Sequence, residues 1–282
     1  MTPTPPMAAD ERRWMLRYTR VDQWSLPARF PLAPSTVDAV LADILQTSPA
    51  GVRDLAADLD RERDALAVRL VQDGSARADL ERLAARDDLR IAALGDSITV
   101  DRLSWFDIIA AAVEKVPGDG RPLFRNLAVS GATTADLLER FDLVHAVRPT
   151  HLLVMAGTND ARRHGHQAAE EMVTLGETRR NLGALMDLCA TELGCWTRLI
   201  TPPAVDGPRV AAAFSGQPVG WRGPDIDGVA ATVLELDPRA IDVHSHLPVR
   251  ARVDLLEADG IHPSATGQLE IARLVLSHLA RA

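Results

Sequence analysis

The spacing of apolar residues changes near residue 89. Before that point, apolar residues recur at helical spacing in three segments: residues 35–46, 48–74 and 75–86. The longest segment carries one apolar stripe, formed by Val52, Leu55, Leu59, Leu66 and Leu70. Ser48 followed by Pro49 is a typical helix start. We therefore predict that residues 1–88 form a helical N-terminal extension, with a flexible tail over residues 1–10.

Short apolar runs alternate with helical patterns after residue 89. The predicted strands are residues 90–94, 123–128, 151–156, 196–201 and 240–243. The predicted helices are residues 102–115, 134–145, 168–193, 225–236 and 264–280. This alternation predicts an α/β domain over residues 89–282, with a five-stranded parallel sheet covered by helices on both faces. The Gly- and Pro-rich residues 204–224 are expected to form the longest irregular stretch.

Aromatic side chains are concentrated at the start of the extension, at Trp14, Tyr18, Trp24 and Phe30. Such residues usually anchor a segment against another surface. The extension is therefore expected to pack on the main domain or in a dimer interface, which allows a homo-oligomer through the N-terminal helices. A lid over the active site and a docking module remain alternatives.

Composition limits the classes of binding partner and the cellular compartment that we expect for this protein. The chain has 282 residues, 46% hydrophobic and 25% charged, as in ordinary globular proteins. Its net charge of −8 argues against nucleic acid or an anionic membrane surface as a partner. No apolar run is long enough for a transmembrane helix, and the N-terminus lacks the apolar region of a signal peptide. Cys189 and Cys195 are expected to be free thiols, although an oxidising compartment would allow a bridge; together these features predict a cytoplasmic protein.

The first predicted strand ends in a turn that carries a serine. The apolar residues 91–94 are followed by Gly95, Asp96 and Ser97. In open α/β sheets, ligands bind at the carboxyl ends of the strands. The hydroxyl of Ser97 is therefore expected to lie in the mouth of the fold.

Further polar residues that follow predicted strands or precede the last predicted helix suggest acyl transfer. A serine becomes a nucleophile when a histidine takes its proton and a carboxylate orients the imidazole. His262 and Asp259 are three residues apart, so one turn brings both side chains together. The oxyanion that forms needs fixed donors, for which we predict the N–H of Ser97, the N–H of Gly131 and the amide of Asn159.

Together these residues resemble the four sequence blocks of the SGNH (GDSL-type) hydrolase family. The matching blocks are Gly95-Asp96-Ser97, Gly131, Gly157-Thr158-Asn159-Asp160 and Asp259-x-x-His262. The resemblance covers about residues 89–282 and implies a flavodoxin-like, three-layer α/β/α sandwich. It implies Ser97, Gly131, Asn159 and His262 as the four name residues, with Asp259 completing the triad, and neither a metal nor an organic cofactor.

Other polar residues near these blocks are expected to have structural roles. Asp160 is predicted to brace its loop, and Thr133 and Thr134 are predicted to cap the following helix. A metal site is a weak alternative at two groups: His164 with His166, and Asp242 with His244 and His246. Alternation along a strand end would put His244 and His246 on one face, but no cysteine or further carboxylate cluster completes a zinc site.

These features predict a serine esterase that hydrolyses small or short-chain acyl esters through an acyl-enzyme on Ser97. The open mouth of a flavodoxin-like sheet favours short acyl groups, and acetylated sugars, short alkyl esters and thioesters all fit. Two alternatives use the same scaffold: an acyltransferase with the same acyl-enzyme, and a non-catalytic ligand-binding protein.

Overall fold

The computed structural model describes residues 7–167, 169–249 and 251–282. The first part of the predicted flexible tail, residues 1–6, lies outside the described residues. For residues 9 and 10 the prediction is wrong, because a helix begins at Ala9. The extension contains the helices α1 (Ala9–Tyr18), α2 (Ser25–Arg29), α3 (Pro34–Ile44), α4 (Pro49–Gln72) and α5 (Gly74–Ala84). Ser48 caps α4 as predicted, by accepting a hydrogen bond from the N–H of Gly51 at 3.1 Å.

The main sheet follows directly after the extension. Its strands are β1 (Arg90–Gly95), β2 (Leu123–Asn126), β3 (His151–Met155) and β6 (Trp196–Ile200). They are parallel and lie in the order β2-β1-β3-β6. The helices around it are α6 (Ser97–Val100), α7 (Trp105–Val113), α8 (Thr134–Glu139), α9 (Phe141–Val147), α10 (Leu175–Leu188), α11 (Gly207–Ala213), α12 (Gly223–Leu236), α13 (Val243–His246) and α14 (Ala265–Leu279).

The prediction of a fifth strand is wrong, since the described residues form a four-stranded parallel sheet. Residues 240–243 make only an isolated bridge, between Ile241 and Ile200. The run ends there because the side chain of Asp242 caps α13 by accepting the N–H of Ser245. His244 and His246 therefore lie on a short helix and do not alternate along a strand.

Residues 163–220 also differ from the prediction. Three two-residue strands form a second, antiparallel sheet: β4 (Arg163–His164), β5 (Glu170–Glu171) and β7 (Val219–Gly220). The predicted helix 168–193 begins only at Leu175, where Thr174 and Glu177 form a capping box. The predicted irregular stretch 204–224 contains α11, which Asp206 caps.

Alternate residues of the central strand face two separate hydrophobic cores. Ile91 and Ala93 pack with α7, α14 and the extension. Ala92 and Leu94 pack with α8, α9, α10 and α12 on the other face. The result is the expected α/β/α sandwich, with the extension outside one helical layer. The stripe residues Val52, Leu59, Leu66 and Leu70 are buried in the first core, where each such side chain stabilises the fold by about 1.5–3 kcal/mol.

The cysteines and the apolar helices can be compared with the sequence predictions. Cys189 is buried, Cys195 is half-buried, and both are free thiols. Among the residues that the structure describes, no helix is long and apolar enough to span a bilayer.

Candidate active site

The turn after β1 places Ser97 at the first position of α6. The carboxylate of Asp96 caps this helix by accepting the N–H of Ile98 at 3.0 Å. Gly95 allows the turn because a Cβ atom there would lie 2.4 Å from the carbonyl oxygen of Met155 on β3. Ser97 is therefore held at the carboxyl end of β1, as predicted, and only 7% of it is exposed.

The loop before α14 brings Asp259 and His262 to this serine. Nε2 of His262 lies 2.9 Å from Oγ of Ser97, and Nδ1 lies 2.5 Å from Oδ2 of Asp259. The other carboxylate oxygen of Asp259 accepts the N–H groups of Ile261 and His262, at 2.9 and 3.0 Å. With a proton on Nδ1, Nε2 is free to accept the serine proton.

The same contacts set the charge of Asp259. Burial would raise the pKa of its carboxyl group. The hydrogen bond and charge of His262, with the two backbone donors, outweigh burial and hold that pKa below its usual value. The carboxylate is thus ionised and fixed, as an orienting group for the imidazole requires.

The loops after β2 and β3 carry the predicted oxyanion donors. Gly131 has a φ of +81°, a conformation that favours glycine. Its loop is tied to β1 by the N–H of Val129, which donates to the carbonyl oxygen of Gly95 at 3.0 Å. Asn159 is 5% exposed and its Nδ2 donates to the carbonyl oxygen of Ala132 at 3.1 Å. One amide N–H of Asn159 fixes the side chain, which leaves the second for a substrate oxygen.

Asp160 braces the Asn159 loop from behind. Its carboxylate accepts the N–H and the hydroxyl of Thr134, at 2.9 and 2.5 Å, and the hydroxyl of Thr178 at 2.9 Å. Burial raises the pKa of Asp160, and these donors oppose that shift. The bracing role of Asp160 is as predicted. Thr133 caps α8 as predicted, but Thr134 does not, because its hydroxyl binds Asp160.

Asp96 is a further buried carboxyl group at the site. Burial raises its pKa to about 6, although the N–H of Ile98 and the charge of His262 act in the opposite direction. A carboxyl group beside the serine therefore titrates within the neutral-to-acidic range.

The aromatic residues of α1 cover the imidazole of His262. The ring of Tyr18 lies 4.6 Å from it, centroid to centroid, and the ring of Trp14 lies 5.9 Å from it in an edge-to-face arrangement. The sequence predicts that this aromatic cluster packs against another surface. It does not identify His262 as that surface, because no sequence motif relates α1 to residue 262.

The two candidate metal groups do not assemble a metal site. Nε2 of His164 accepts a hydrogen bond from Arg162, and His244 lies against Asp227 at 3.1 Å. Within residues 7–167, 169–249 and 251–282, no three side chains of the metal-binding types come together.

Sequence and structure comparisons agree on the relatives of this chain. The model of the GDSL-like lipase/acylhydrolase family matches residues 93–269, which include every candidate site residue. A lipase/acylhydrolase from Enterococcus faecalis is 22% identical, with a TM-score of 0.55 over 68% of this chain and 96% of its own. The acetylxylan esterase Axe2 from Geobacillus stearothermophilus, as a catalytic mutant, is 19% identical, with a TM-score of 0.51 over 70% of this chain and 96% of its own.

The acetyl xylan esterase AlAXEase is 17% identical, with a TM-score of 0.51 over 68% of this chain and 100% of its own. At these identities the structural matches establish the shared fold. A search of curated proteins found no match.

Proposed function

The chain belongs to the GDSL-like lipase/acylhydrolase family and is a carboxylic ester hydrolase; from that premise we propose that it cleaves short-chain acyl esters through an acyl-enzyme on Ser97. The observation that carries this proposal is the continuous hydrogen-bonded line from Ser97 through His262 to Asp259. A serine, a base and an orienting carboxylate in this geometry are what acyl transfer requires.

In the proposed reaction, Oγ of Ser97 attacks the ester carbonyl carbon while Nε2 of His262 takes the hydroxyl proton. The oxyanion accepts hydrogen bonds from the N–H groups of Ser97 and Gly131 and from the amide of Asn159. The C–O bond to the alcohol then breaks, and His262 gives its proton to the leaving oxygen. Water then attacks the acyl carbon while His262 takes its proton. The bond between the acyl carbon and Oγ of Ser97 breaks, His262 gives the proton to Oγ, and the carboxylic acid leaves.

Two open cavities adjoin residues of the site, although Ser97 itself lines neither. One lies beside Gly131, a proposed oxyanion donor, and has a volume of about 180 Å³. The other lies beside Trp14 and Asp259 and has a volume of about 520 Å³. The proposal of a short acyl group therefore rests on the open strand ends of this kind of sheet. Two of the structural matches are named as acetylxylan esterases, which adds acetylated sugars to the substrates worth testing.

A panel of p-nitrophenyl esters of increasing chain length, assayed beside acetylated sugars, tests the proposal. We expect the highest kcat/KM for acetyl and other short acyl groups, and labelling of the protein by a fluorophosphonate. A kcat/KM that rises steadily with chain length would contradict the proposed substrate class. Adding an alcohol or amine acceptor separates hydrolysis from acyl transfer, because a transferase would give acylated acceptor in preference to free acid.

Location and self-association are also part of the proposal. The two free thiols support a cytoplasmic location, which cell fractionation would test. Leu26 and Phe30 on α2 are 69% and 68% exposed, and exposed apolar patches often mark interfaces. We therefore propose a homo-oligomer through the N-terminal helices. Light scattering of Leu26→Ser/Phe30→Ser against the unaltered protein tests it.

A further inference from the structure

Arg17 on α1 is a buried guanidinium that binds two carboxylates from different parts of the chain. Its Nε and one terminal nitrogen lie 3.1 and 2.6 Å from the two oxygens of Asp101. Its other terminal nitrogen lies 2.5 Å from Oε1 of Glu257. Only 6% of the Arg17 side chain is exposed, and Asp101 is completely buried.

Both carboxylate residues are joined directly to the proposed triad by their backbones. The N–H of Asp101 donates to the carbonyl oxygen of Ser97 at 3.1 Å, at the end of α6. The N–H of Glu257 donates to the carbonyl oxygen of His262 at 2.7 Å. Arg17 therefore links the short helix of the nucleophile to the loop of the histidine.

The charges make this link rigid. A two-pronged pair between arginine and a carboxylate fixes the orientation as well as the distance. Removing the arginine leaves the buried carboxylate of Asp101 without a countercharge, which is strongly unfavourable. Burial by itself would lower the pKa of Arg17, but the charge and hydrogen bonds of Asp101 and Glu257 raise it.

Tyr18, the residue after Arg17, contacts the imidazole of His262. Tyr18 is 5% exposed, and its ring packs against the imidazole of His262. Two consecutive residues of α1 thus hold the histidine loop, one through Glu257 and the other through ring contact.

We propose that Arg17 is a positioning residue of the esterase, which sets the separation of Ser97 and His262. This inference rests on the proposed function. A misplacement of reacting groups by about 1 Å can cost roughly 10²-fold in rate. Loss of the link should therefore act mainly on kcat, because neither Arg17 nor Asp101 lines a cavity beside the site.

The test compares Arg17→Met with Arg13→Met. Arg13 lies on the same helix, but its partly exposed side chain pairs with Glu62 of α4, which makes no contact with the proposed triad. We expect Arg17→Met to lower kcat and the rate of fluorophosphonate labelling by about 10- to 100-fold, with KM within about threefold. Arg13→Met should keep both rates within about twofold. Assays are run well below the lowest melting temperature of the set.

A charge-compensated variant separates positioning from stability. Arg17→Met/Asp101→Asn removes one orphaned carboxylate, so its melting temperature should recover towards that of the unaltered protein, and it serves as the test protein if Arg17→Met does not fold. We expect kcat to remain low in this variant. Recovery of kcat together with stability, or an Arg17→Met kcat equal to that of Arg13→Met, would overturn the proposal. If the unaltered protein itself neither hydrolyses esters nor reacts with the fluorophosphonate, the proposed function has failed instead.

Discussion

Nε2 of His262 lies 2.9 Å from Oγ of Ser97, although 165 residues separate them in the chain. One partner sits at the carboxyl end of β1 and the other in the loop that leads into α14. The contact therefore depends on how the first strand and the last helix are packed, and it is the point at which the proposed chemistry is most easily tested.

Removing the proposed nucleophile should abolish activity. Ser97→Ala should lose ester hydrolysis and fluorophosphonate labelling and keep its fold, since a serine-to-alanine change at this position creates little strain. Circular dichroism and the melting temperature provide the folding control. Turnover above the level of an uninduced extract would show that the nucleophile is another residue.

Removing the amide donor of Asn159 should lower the rate of the chemical step. Asn159→Ala should lower kcat by roughly 10²–10³ with little change in KM, as the loss of one oxyanion donor does. Thr178→Val is the matched control, because it removes a hydrogen bond to Asp160 behind the same loop without removing a proposed donor. An equal loss in both variants would assign Asn159 to loop structure.

Activity should depend on pH through the general base. We expect kcat/KM to increase from acidic to neutral pH, because only the neutral imidazole accepts the serine proton. His262→Ala should lose activity, whereas Asp259→Ala should retain more, since the base is still present. A flat profile between pH 5 and 9 would contradict the assignment of His262.

Stability should depend on pH through Asp96. Burial raises the pKa of this carboxyl group from 3.8 to about 6, so the folded protein binds the proton more tightly than the unfolded chain. The protonated carboxyl group of Asp96 therefore contributes fully to stability below about pH 4, and this contribution is lost as the pH rises through about 6. The loss amounts to about 3 kcal/mol in the free energy of unfolding.

Asp96→Asn does not ionise and should avoid this loss. Between pH 4 and 7, its free energy of unfolding should therefore improve relative to the unaltered protein by about that amount, as measured by urea denaturation at each pH. A difference between the two proteins that is independent of pH would contradict the raised pKa.

Deletion of residues 1–88 should destabilise the remaining domain. The stripe residues of α4 share a core with Ile91, Ala93 and the helices α7 and α14, so deletion exposes that core to water. We expect an insoluble product or a melting temperature lower by many degrees. The predicted boundary at residue 88 would mark a separable module only if the shortened chain were soluble, monomeric and as stable as the full chain.

The sequence alone determined the elements whose causes are local. The apolar run before Gly95 predicts β1 and the turn that follows, and the spacing of Asp259 and His262 predicts that one carboxylate can hold one imidazole. The helix caps Ser48 and Thr133 were also predicted from sequence, because a capping side chain bonds to the backbone of residues only two or three positions further along the chain. The order of the strand ends was enough to place Gly131 and Asn159 at one edge of the sheet.

Tertiary structure decided what depends on residues far apart in the chain. The fifth strand was reduced to one bridge because Asp242 caps a helix instead of continuing the ladder. Arg17 reaches Asp101 and Glu257 across 84 and 240 residues. An arginine on a polar helix position has the same sequence pattern whether it faces water or a buried carboxylate. Only the packing of α1 against the site determines which charges meet, because the energy of an ion pair depends on distance in space and on burial.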